Sequence, residues 1–138
     1  MTKSGKPILV IPCSGIGKAF GSIGRDATFR VVDELRKEKA DTLCLSLLVM
    51  GDEEARDKVA AAKCIAVDGC PLECAGKNIV RSGGSVAAHF WVMEQLKENR
   101  GLKTGEVTFL DENGVKLSKL LAERIARKVD ELAEEDQG

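Results

Sequence analysis

The residues of this 138-residue chain with the most chemistry to offer are its five cysteines, at positions 13, 44, 64, 70 and 74. Cys70 and Cys74 are four residues apart, which on a helix puts two side chains on one face at roughly 5–6 Å. Pro71 suits a first helical position and leaves Cys70 at the cap. Two thiolates so placed share a metal ion, with bonds of about 2.3 Å if it is zinc. The positive end of the helix favours their ionised forms. Three residues separate the pair, so it is not the two-spaced redox motif. A phosphatase-like loop needs an arginine just after Cys13, but the first is Arg25, and an iron–sulfur triplet would need cysteine where Lys77 stands.

The elements that must position these thiols alternate. Residues 8–11 are a β-branched apolar run of the kind buried in parallel sheets, broken by the loop 12–17. A helix is expected from residue 18 or 24 to 39, a strand over 42–49, a helix over 52–62 and a strand over 64–67. A helix to about residue 80 follows, then one capped by Ser85 and running to 99, a strand over 106–110, a turn at 111–114 and a helix over 118–132. The pattern is that of one α/β domain spanning residues 1–138, Rossmann-like and three-layered, around a mainly parallel sheet of about four strands.

Sites in such sheets form beyond the carboxyl ends of the strands. Cys13 follows the first strand and Cys70 the third, so topology makes them converge. Cys64 lies six extended residues before Cys70, roughly 20 Å back at about 3.3 Å per residue, and reads as a core residue. Cys44 is open on spacing alone. It is too deep if the second strand runs to residue 49, and within reach if that strand stops near 45 or 46.

Other candidates are weaker. The Gly15–Gly17 loop lacks both the dinucleotide and the Walker pattern, but its amides offer a place for a small anion. Asp68 is placed to accept from loop amides, to orient a ligand or to make a turn. His89, the single histidine, reads as structural, and becomes an accessory ligand or base only if its helix packs over the strand exits. Lys77 faces the thiolates, an anion or solvent. No Ser-His-Asp arrangement is supported.

Twenty-one basic residues against 22 acidic ones give a net charge of −1, which argues against a nucleic-acid or anionic-membrane binder. With 43% hydrophobic residues the chain needs no disulfide to build a core. No signal peptide or membrane span is read from it, so a cytoplasmic setting with reduced thiols is expected.

Pro12-Cys13-Ser14-Gly15, Cys44-Leu45, Asp68-Gly69-Cys70-Pro71 and Cys74-Ala75-Gly76-Lys77 together resemble the DGC-domain family, named for its central Asp-Gly-Cys. The resemblance continues through residues 109–116 and covers most of the chain. Members of that family are described as candidate zinc-binding proteins, and its proposed chelating cysteines correspond to Cys13, Cys44, Cys70 and Cys74. The resemblance thus implies zinc, a short second strand and a site without Cys64. Residues 81–104 exceed the family pattern, and the resemblance names no protein partner. Two other readings stand beside the metal site: thiol-redox or sulfur-transfer chemistry at Cys13 or Cys70, and a protein-interaction module in which residues 81–104 meet a partner, which an exposed apolar patch including Phe90 and Trp91 would support.

Overall fold

The computed structural model describes residues 8–12, 19–68, 74–92, 94 and 112–137. Strand β1 (Ile8–Pro12) leads to helix α1 (Ala19–Arg30), whose end widens into a π-turn over Val31–Leu35. A two-residue strand β2 (Ala40–Asp41), helices α2 (Leu45–Met50) and α3 (Glu53–Ala61), and strand β3 (Lys63–Asp68) follow. Helix α4 (Cys74–Arg81), strand β4 (Ser85–Trp91) and the long helix α5 (Glu112–Gln137) complete the described elements.

The four strands lie in the order β2-β1-β3-β4, and all three pairings are parallel. Every residue of β1 is buried because helices cover both faces of the sheet. Ile8, Val10, Ile65 and Val67 pack with Ile23, Ala27 and Val31 and with Leu117, Leu121 and Ile125, on the face of α1 and α5. Leu9, Ile11, Cys64 and Ala66 face the other way, against Leu45 and Leu48 of α2, Val59 of α3, and Ala75 and Ile79 of α4. The period of two along β1 and β3 thus builds a three-layer, Rossmann-like α/β fold.

The chain leaves β1 for β2 on one side and returns from β2 to β3 on the other. The carboxyl ends of β1 and β3 therefore flank the switch point of the sheet, the place where such folds hold ligands. Pro12 at the end of β1 lies opposite Val67 in β3.

Three expectations are corrected. Residues 42–49 do not form a strand. Leu45 and Leu48 are buried while Ser46 and Val49 are exposed, a helical spacing that gives α2, with Gly51 closing it at φ 80°. Ser85 does not cap a helix; it opens β4, because the free edge of β3 needs backbone partners and β4 supplies them along its length. Residues 112–114 belong to α5 rather than to a turn. The strand expected over 106–110 lies outside the described residues.

Between Cys64 and Ile65 the β3–β4 register slips: Cys64 pairs with Val86, but Ile65 pairs with Ala88. Ala87 is the extra residue of a bulge, and a bulge reverses which face the following side chains take. Val86 packs on the α2–α4 face, whereas Ala88 and Phe90 pack on the α1–α5 face. His89 and Trp91 are thereby turned toward α4.

Candidate metal centre at the carboxyl edge of the sheet

Cys13 is the next residue in the chain after Pro12, and Cys70 is the second after Asp68. Both lie outside the described residues, as does the Gly15–Gly17 loop with its expected anion. The other two candidate ligands are described, and both fall at helix beginnings on the same face of the sheet.

Cys44 occupies the cap position before α2, with extended backbone at φ −71° and ψ 125°. Its thiol is exposed and lies 2.9 Å from Ser46 Oγ. That hydroxyl, donating to sulfur, holds the Cys44 thiol below the ordinary range, and the backbone N–H groups of Ser46 and Leu47 add to the effect. Cys74 is the first described residue of α4, half-buried against the apolar cluster that includes Leu45 and Leu48. Its carbonyl accepts from Asn78 Nδ2 at 2.8 Å. Helices α2 and α4 pack against each other, so the short-strand arrangement carries Cys44 to the edge where α4 begins.

Cys64 is different in kind. It is fully buried, its Sγ is 3.7 Å from the carbonyl oxygens of Val59 and Ala62, and burial pushes its thiol up to about 11. A group that stays neutral at physiological pH is a poor metal ligand. By donor chemistry Cys44 and Cys74 fit a thiolate zinc site, whereas the buried, neutral Cys64 does not. Among the described residues no group of three or more His, Cys, Asp or Glu is arranged to hold a metal. Two of the four candidate sulfur donors, Cys44 and Cys74, are thus among the described residues.

Asp68, the last residue of β3, is fully buried. Its Oδ1 accepts from Ala75 N at 2.8 Å, and its Oδ2 accepts from Gly76 N at 3.3 Å. These are amides of the first turn of α4, so the helix end expected to favour thiolates is already met by a carboxylate. Asp68 Oδ2 also lies 2.6 Å from His89 Nε2. An ionised carboxylate can only accept, so against it the ring offers its Nε2–H. The His89 ring stacks on Trp91, with centroids 3.9 Å apart and planes 17° from parallel.

His89 therefore does reach the strand exits, but from a strand rather than from a helix. Its spacing gave no sign of this, because the Ala87 bulge that aims it has no sequence signature. Ser46 was likewise missed, although a hydroxyl two residues after Cys44 at a helix start is a readable signal. Phe90 packs against the core and Trp91 against His89, so these two residues make no exposed aromatic patch. Lys77 is exposed on α4. No described helix is long and apolar enough to cross a membrane.

The fold is a doubly wound α/β domain, with Cys44 and Cys74 at the starts of α2 and α4. Residues 9–129 match the DGC domain family, and the chain belongs to it. No curated protein and no solved structure matches the chain.

Proposed function

We propose that the protein binds zinc through four thiolates, Cys13, Cys44, Cys70 and Cys74, at the carboxyl edge of its sheet. The observation that carries this reading is the pairing of Pro12 with Val67. It brings together the strand ends that Cys13 and Cys70 follow, on the edge where α2 and α4 present Cys44 and Cys74. Four sulfur ligands satisfy tetrahedral zinc, a soft donor set that the metal accepts readily. Bound zinc would supply charge neutralisation and a fixed geometry. The chain's own part is to hold two thiols at the starts of packed helices while keeping Cys64 apart in the core.

The second reading, thiol-redox or sulfur-transfer chemistry, is expected at Cys13 or Cys70, and the one observation that favours it concerns another thiol: Cys44 is exposed and lies 2.9 Å from Ser46 Oγ, which holds it low. Single Cys→Ser variants of the full chain separate the two. Under the zinc reading, each change at 13, 44, 70 or 74 lowers zinc stoichiometry, while Cys64→Ser leaves it intact. A metal-free protein with one fast thiol, or with a disulfide between Cys70 and Cys74, would favour redox chemistry instead.

A further inference from the structure

We propose that Asp68 and His89 form a positioning pair that sets the first turn of α4, and with it Cys74, against the strand ends. The inference rests on the four-thiolate reading above. It begins with a costly feature: a carboxylate buried at the end of β3 loses its hydration, and only well-placed donors offset that. Two of its three donors are the amides of Ala75 and Gly76, the residues immediately after Cys74. The third is the imidazole of His89, which couples the end of β4 to the same carboxylate.

Two further details serve this contact. The Ala87 bulge turns His89 to the α4 face, and bulges beside sites commonly re-aim a side chain in this way. Glycine at position 76 admits the ring. A Cβ there would stand 2.9 Å from His89 Cε1 and 3.4 Å from Nδ1, so the nitrogen-bearing edge of the imidazole lies against the first turn of α4. Trp91 closes one face of the ring and fixes its plane. Strand β3, strand β4 and helix α4 thus meet at one carboxylate beside a candidate sulfur ligand. Partners of this kind, which orient ligands without touching the metal, typically change metal affinity by about 10–100-fold when removed.

The test uses the full chain and zinc itself, with affinity read by competition against a chromophoric chelator. Glutamine in place of His89 can offer an amide N–H where Nε2–H stood; phenylalanine cannot. His89→Phe is expected to weaken zinc binding by about 10-fold or more, and His89→Gln to recover most of the loss. Thiolate-to-cobalt bands of the cobalt(II) form are expected at the same wavelengths in both variants, since His89 is not a ligand. Gly76→Ala, which removes no polar group, is expected to weaken zinc binding in the same direction. Unchanged affinity in folded His89→Phe overturns the inference. So does a shifted cobalt spectrum in both variants, which would make His89 a direct ligand. If the wild-type chain takes up no zinc, the four-thiolate reading fails, and the pair is judged on metal-free protein. There, faster hydrogen exchange at the Ala75 and Gly76 amides in His89→Phe, restored in His89→Gln, supports it; unchanged exchange refutes it.

Discussion

Removing the Asp68 carboxylate tests the account at its most constrained point. Asp68→Ala strands the amides of Ala75 and Gly76 and the Nε2–H of His89, three donors left without their acceptor. Hydrogen bonds to an ionised group contribute about 1.5–3 kcal/mol each, and the bonds at 2.8 Å and 2.6 Å are well formed while the third, at 3.3 Å, is weak. Losing a buried charge returns part of that sum, so a net destabilisation of about 3 kcal/mol is expected. Asp68→Asn is milder, about 1–2 kcal/mol. Its Oδ1 still accepts from Ala75, and its Nδ2 can donate to Nε2 once the ring proton moves to Nδ1. Urea denaturation of the protein in chelator, followed by circular dichroism, measures both without a contribution from metal. Asp68→Ala within about 1 kcal/mol of wild type, or Asp68→Asn as damaging as alanine, would refute the reasoning.

Gly84→Ala should be among the most destabilising surface-loop changes, at about 2–3 kcal/mol or more by thermal melting, because the new Cβ would sit 2.3 Å from Val59 Cγ1 and 3.0 Å from its carbonyl. Gly51→Ala, at φ +80° with open space around it, carries only the left-handed backbone cost of about 1 kcal/mol. Cys64 gives a pH signature. Its folded thiol is pushed up to about 11 from an ordinary 9.0, so the stability tied to its neutral form is complete below pH 9 and lost as pH climbs toward 11. Cys64→Ala should lack that component when melts are compared across this range. Ser46→Ala removes the hydroxyl that holds the Cys44 thiol low, so the pH profile of Cys44 alkylation by iodoacetamide should move to higher pH.

Much of the frame was legible because burial writes itself into sequence. The runs containing Ile8 to Ile11 and Cys64 to Val67 are apolar on both faces, as central parallel strands are, and they emerge as β1 and β3. Cys64 read as core from its distance along the chain and the tendency of free cysteine to be buried. What escaped depends on contacts that no local pattern encodes. Ala87, Ala88 and His89 look helical in isolation, and only the unpaired edge of β3 makes them a strand. Leu45 and Leu48 sit in an apolar run that reads as a strand, and the surface of α4 that they cover makes it a helix. The Asp68–His89 contact joins residues 21 apart through a bulge, beyond the reach of periodicity.

The central claim is tested most directly by elemental analysis of the full chain purified without chelator, joined to mass-spectrometric mapping of which thiols resist alkylation in the native state. The account predicts about one zinc per chain, with Cys13, Cys44, Cys70 and Cys74 becoming reactive together when the metal is stripped and Cys64 reactive only on unfolding. Metal-free protein with freely alkylated thiols at all four positions, or zinc lost from a folded Cys64→Ser variant, would contradict it.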